Sequence, residues 1–180
     1  MELLISRQTK LFPALRPRKL LTSAITALLR LEGITDDVEV SLLLCDDAFI
    51  RDLNVEHRNI DKATDVLSFP QQVQQRGVKN EERDSTTVPT SLLTGPPSLL
   101  LLGDVAISLE TADRQAGAAG WPLASEVCLL TVHGMLHLLG YEDETVAGAG
   151  LMREKTTRVL QDSGVALPAA VVHPYFIEYN

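Results

Sequence analysis

Between residues 124 and 139 the chain is apolar on nearly every helical face, and a helix of that kind has to be surrounded by the rest of the protein. A bilayer span needs about 20 apolar residues. The apolar run over 127–139 is shorter than that and holds two histidines, so the reading is a buried central helix and no membrane. His133 and His137 stand four residues apart on it, one above the other on a single face. Imidazoles so placed can converge on one small object. A metal ion is the object that most often wants them, because neutral imidazole is a good zinc ligand. Two core histidines with satisfied nitrogens would show the same spacing. The residues just beyond the pair weigh toward metal: Gly140 can stop the helix in a left-handed conformation and turn the chain back, and Glu142, Asp143 and Glu144 come directly after. In the helical zinc motif His-Glu-x-x-His the general base stands beside the first histidine. Here that place is Gly134, which disfavours an ordinary zinc-peptidase mechanism.

The remaining elements can be read from local patterns. Residues 2–6 read as a strand, and 17–31 as a helix with Leu20, Leu21, Ala24, Leu28 and Leu31 at helical spacing and Gly33 beyond its end. Residues 38–45 read as a strand, Asp46 as an N-cap, 48–57 as a short helix and 65–69 as a strand halted at Pro70. Strand character resumes over 99–107, where Gly103 marks a bulge or a close backbone approach. Ser108 caps a helix through about 118, Gly120-Trp121-Pro122 turns the chain, and 145–161 form a final helix with Gly164 past its end. Strands and helices alternate early and helices alone come late, so the expected class is α+β: a small mixed β-sheet packed by helices around the histidine helix. Residues 71–98 lack periodicity and collect three prolines and two glycines, which reads as a long, flexible loop inserted into a single domain over 1–180. The tail through His173 has no pattern that places it.

A net charge of −8 argues against broad, charge-driven binding to nucleic acid and leaves room only for a local basic cleft. Cys45 and Cys128 sit in apolar surroundings and read as buried, reduced thiols. Residues 1–6 lack the basic start and apolar core of a secretory signal, so the expected location is cytoplasmic.

His133-Gly-Met-Leu-His137-Leu-Leu-Gly140-Tyr141 resembles the signature of the bacterial YbeY endoribonucleases, His-Gly-x-Leu-His-Leu-x-Gly-Tyr-Asp-His. Leu53-Asn54, Arg58, Asp61-Lys62 and the run Thr64-Asp65-Val66-Leu67-Ser68-Phe69-Pro70 resemble the family's second block. Leu102-Gly103-Asp104-Val105 resembles its third, and Glu126 is placed as in many members. Three blocks in the right order are far more specific than a histidine pair.

The resemblance implies a metal-dependent hydrolase cutting single-stranded RNA, with roles in ribosomal RNA maturation and ribosome quality control. Ribosomal particles or ribosome-associated proteins are then its expected partners. The implied cofactor is one Zn2+ per chain, another divalent metal staying open. Carried over by position, the ligands are His133, His137 and Asp143, the last standing where the family has histidine. Aspartate is an accepted zinc ligand, but it lowers the charge at the metal by one unit and favours harder metals. Two other roles stay open: Asp143 capping the final helix while Glu142 or Glu144 binds, or water completing the shell. Arg58 resembles the family's active-site arginine, and its planar fork suits a phosphate. Asn54 and Ser68 are candidate substrate contacts; Asp65, Asp104, Lys62 and His57 are lesser candidates, each with an ordinary structural role equally open. Two other functions remain: a metallopeptidase-like hydrolase, and a noncatalytic ribosome-associated factor whose metal is structural.

Overall fold

Val38, Val40, Leu42 and Leu44 are buried while the residues between them are only partly so, the period-2 pattern of a strand with one face in the core. The computed structural model, which describes residues 1–71 and 99–165, makes this strand the second of four. In chain order the elements are β1 (Glu2–Arg7), α1 (Arg18–Leu31), β2 (Val38–Cys45), α2 (Asp47–Arg58), β3 (Val66–Pro70), β4 (Leu100–Ser108), α3 (Leu109–Ala119), α4 (Leu123–Leu138) and α5 (Val146–Asp162). The sheet order is β1-β2-β4-β3, with β1, β2 and β4 parallel and β3 antiparallel at the edge. The expected α+β class and mixed sheet are what the chain forms. The loop expected at about 71–98 lies almost wholly outside the described residues, as does the tail.

Gly103 fills both roles expected of it. Glu39 pairs with Leu101 and Val40 with Gly103, so Leu102 is an extra residue in β4. The bulge reverses the alternation: Leu100 and Leu102 face the main core before it, and Val105 and Ile107 face the same core after it. Gly103 adopts φ +132°, and a Cβ there would overlap the Phe69 carbonyl and come within 2.9 Å of the Gln71 nitrogen on β3's side. Only glycine allows both the conformation and the approach.

The α4 helix packs against β3, β4, α1, α3 and α5. Every residue from Glu126 to Leu136 is buried, as its unbroken apolarity requires. The other face of the sheet carries a smaller cluster of Cys45, Ile50, Leu67 and Ala106 beneath α2. Both cysteines are buried free thiols, and burial pushes each thiol up to about 12, with the Asp46 and Asp47 charges adding to the effect at Cys45.

The start of α2 is tied to the start of α3 by exchanged carboxylates. Asp46 caps α2 by accepting from the Phe49 nitrogen, and Ser108 caps α3 by accepting from Thr111. The Asp47 amide donates to Glu110 of α3 at 2.8 Å, while Asp47 accepts from Ser108 Oγ at 2.5 Å, Thr111 Oγ1 at 2.7 Å and Arg114 at 2.8 Å. Partial burial opposes the Asp47 charge, but the bonds from Ser108, Thr111 and Arg114 outweigh it and hold this carboxyl below the usual range. A depressed folded pKa gives stability that is present above the unfolded value of about 3.9 and is lost as pH falls through the folded one. Asp47→Ala is therefore expected to lower the unfolding free energy by about 1–2 kcal/mol at pH 7. Urea melts of both proteins should show that gap closing below about pH 4, where the wild-type carboxyl also protonates; a gap constant with pH would contradict it.

Candidate metal centre

The histidine pair sits in the last two turns of α4, where the helix leaves the core. His133 is buried at 6% exposure, and the His137 side chain is about one-quarter exposed. Gly134, between them, lies hard against the sheet: a Cβ there would meet Val105 Cγ1 at 2.8 Å and Val66 Cγ2 at 3.3 Å. The position that carries the base in His-Glu-x-x-His helices is thus pressed onto β3 and β4, with no room for a glutamate.

The helix ends as its glycine suggests. Gly140 takes φ +92°, its amide donates to the His137 carbonyl at 3.0 Å, and the Tyr141 amide donates to the Leu136 carbonyl at 3.0 Å. This Schellman arrangement satisfies two carbonyls of the last turn and reverses the chain. The reversal brings the Tyr141 carbonyl 3.0 Å from His137 Nδ1. A carbonyl can only accept, so this bond puts the proton on Nδ1 and makes Nε2 of the neutral ring the acceptor atom, the one able to ligate a metal.

That Nε2 lies 3.1 Å from His133 Nε2, and Asp143 Oδ2 lies 3.5 Å from the first imidazole and 3.8 Å from the second. Donors around a tetrahedral zinc at about 2.0–2.1 Å are spaced by roughly 3.3 Å. The three atoms therefore fit one small divalent ion, and among the described residues they form the one His/Cys/Asp/Glu group that can hold a metal. Of the alternatives left open by the sequence, the cap on α5 belongs to Thr145, whose hydroxyl accepts from the Gly148 nitrogen at 3.0 Å. Glu142 and Glu144 are exposed and stand outside the donor group. Asp143 is the most open of the three donors, with 40% of its side chain exposed.

An anchor that sequence reasoning missed holds this turn in place. Tyr141 is buried, and its hydroxyl donates to Glu32 Oε2 at 2.7 Å just past the end of α1. Lys155 of α5 pairs with Glu32 Oε1 at 2.8 Å and lies 5.0 Å from the centre of the Tyr141 ring. Burial works against the Lys155 ammonium, but Glu32 and Tyr141 outweigh it and hold its pKa above the usual value. Burial and the Glu32 carboxylate raise that of Tyr141. No local pattern marks Glu32 or Lys155; only the tyrosine of the motif hinted that something must receive its hydroxyl.

The other residues singled out in the sequence are more scattered. Arg58 is the last residue of α2, exposed, and succeeded by Asn59 in the left-handed region at φ 58°. Asn54 is buried and donates from Nδ2 to the Lys62 carbonyl at 2.8 Å, so it fastens the loop beyond Arg58. Ser68 lies on β3 opposite Val105, two residues from Val66 and so on the face that α4 covers. Asp65 holds the strand start by accepting from the Val66 amide at 2.8 Å and from Gln115 at 2.8 Å. Asp104 pairs across to Ser41 and Phe69 within the sheet. Lys62 is exposed, and His57 is exposed with its ring edge-on to Phe69 at 4.9 Å.

Comparison with known proteins converges on one family. The family model described as Endoribonuclease YbeY matches residues 4–164. A protein of Desulforamulus reducens named Endoribonuclease YbeY is 42% identical over 147 residues, covering 82% of this chain and 86% of the relative. One of Caldanaerobacter subterraneus subsp. tengcongensis with the same name is 40% identical over 163 residues, covering 91% and 97%. The solution structure of a Thermotoga maritima protein aligns over 94% of this chain and 99% of its own with a TM-score of 0.50 at 20% identity, a likeness of fold.

The anchor under the turn is open to measurement. Lys155→Met leaves Glu32, whose side chain is only 3% exposed, without its cation and is expected to cost about 2–3 kcal/mol. Adding Glu32→Gln should cost less than the sum of the two single changes in chemical denaturation, because the buried charge goes with its partner. Additive losses would mean that the pair is not coupled.

Proposed function

The chain belongs to the YbeY endoribonuclease family, and from that premise we propose that it is a metal-dependent endoribonuclease hydrolysing single-stranded RNA in ribosomal RNA maturation and ribosome quality control. The observation that carries this reading is the donor triangle of His133, His137 and Asp143 with edges of 3.1, 3.5 and 3.8 Å. These side chains would hold one Zn2+, with another divalent metal as the alternative occupant. When bound, such an ion supplies a Lewis-acid charge and a water acidic enough to serve as hydroxide near neutral pH.

The chain's own residues supply the rest. His137 is held by the Tyr141 carbonyl in the tautomer that binds through Nε2. The charge gathering on phosphoryl oxygens is met by Arg58, whose fork matches two of them at once. Asn54 serves by holding the loop beyond that arginine, and Ser68 offers a hydroxyl on the α4 side of the edge strand. At −8 the chain holds RNA by such local contacts and through ribosomal partners, in the cytoplasm, as one domain over 1–180 with its insertion at about 71–98. The packing of Gly134 onto Val105 weighs against the metallopeptidase reading.

Metal analysis paired with cleavage of an unstructured RNA tests the proposal. Asp143→Ala should bind the metal much more weakly through the two remaining histidines and so purify with little of it, and Asp143→His should retain it and match or exceed wild-type cleavage. Arg58→Ala should cut at least ~100-fold more slowly with its metal intact. Metal-loaded wild type that binds ribosomal particles yet leaves RNA whole would support the noncatalytic reading instead.

A further inference from the structure

The connection between α4 and α5 carries the third donor, and two of its supports act at or before Tyr141: the backbone reversal at Gly140 and the Tyr141–Glu32–Lys155 anchor. A third lies next to Asp143 itself. Gly148 stands in the first turn of α5, where its amide is capped by Thr145. A Cβ on Gly148 would overlap the Glu142 carbonyl oxygen, lie 3.3 Å from that carbonyl carbon and 3.1 Å from Thr145 Oγ1. The peptide in the way is the one joining Glu142 to Asp143. Its position against α5 depends on there being no side chain at 148.

Gly150, two residues further along the same helix, is the natural comparison. A Cβ there meets nothing closer than Arg153 Nη2 at 4.0 Å. Both glycines weaken a helix through backbone freedom, so that cost does not distinguish them. Of the two, Gly148 alone has a steric reason to be glycine, and the reason faces the metal-binding turn. Asp143 is a short arm on an exposed connection, with two torsions between backbone and carboxylate. A shift of the Glu142–Asp143 peptide large enough to clear a Cβ is not recovered by rotating that arm, while metal–ligand distances tolerate only about 0.2 Å.

We propose that Gly148 is a positioning residue for Asp143: its missing side chain lets the connecting peptide settle on α5 at the one place from which the carboxylate completes the triangle with His133 and His137. The inference rests on the proposed role of Asp143 as a ligand.

The test is a double-mutant cycle read as the Zn2+ dissociation constant by chelator competition on the full chain, with circular dichroism melts of each metal-free protein. Gly148→Ala should fold and should weaken Zn2+ binding roughly 10–100-fold, the size of effect seen when the support of a ligand is disturbed. Gly150→Ala should bind as the wild type does and melt at a higher temperature. In an Asp143→Ala background, Gly148→Ala should cause no further loss, because the group it positions is gone. A Gly148→Ala protein that binds within about twofold of wild type overturns the proposal, as does an equal loss in the Asp143→Ala background. Failure of the metal-free alanine variant to fold also overturns it, by assigning Gly148 to the fold. If Asp143→Ala itself leaves Zn2+ affinity unchanged, the ligand assignment fails; if it weakens binding while Gly148→Ala does not, only the positioning role fails.

Discussion

A helix that is apolar on nearly every side has no solvent face, and the architecture comes from enclosing it. Around α4 stand β3, β4, α1, α3 and α5. Polar groups along it are accommodated one by one. Glu126 accepts from the buried Trp121 indole at 2.7 Å, and the Thr131 hydroxyl donates back to the Val127 carbonyl at 2.7 Å. Burying such groups unsatisfied costs of order 1–3 kcal/mol each, so each polar residue here has to be bonded. The histidines lie where the enclosure ends: His133 still inside, His137 one turn later at its margin.

The same enclosure makes the helix end decisive. Since α4 is packed against five other elements, the position of its last turn sets where two imidazoles point. The Gly140 reversal then does two things with one piece of backbone. It satisfies the last carbonyls, and it delivers the Tyr141 carbonyl to His137 as tautomer lock. The Tyr141 side chain carries this turn to α1 and α5 through Glu32 and Lys155, so the centre is tied to three helices.

What was legible in the sequence is what is local. The unbroken apolarity of α4, its stop at Gly140, the caps at Asp46 and Ser108 and the bulge at Gly103 each announce themselves within a few residues, and the structure bears each out. Smaller boundaries moved: Pro17 precedes α1 as its N-cap, and Thr145 caps α5. The sheet order was out of reach, because a strand's own pattern says which face it buries and nothing of its neighbours. The anchor was hidden for a related reason: Glu32 lies 109 residues from Tyr141 and 123 from Lys155. Gly148 was invisible since a helical glycine looks like a mere weakness until the carbonyl above it is seen.

The departure from the family signature also falls where the physics tolerates it. His133 and His137 are set by the geometry of one helix, the first within the core and the second at its margin, so their spacing follows from α4 itself. Asp143 sits on an exposed connection whose course is adjustable by a few backbone torsions. A donor held by a turn can exchange a long imidazole for a short carboxylate if the turn itself lies correctly, and the burden then passes from the side chain to the backbone that carries it. Several features gather around so short a connection: a left-handed glycine, a buried tyrosine with its ion pair, and a helix start without a side chain. An aspartate arm has only two torsions with which to correct its position, so where the Asp143 carboxylate lies is decided mainly by the backbone that carries it.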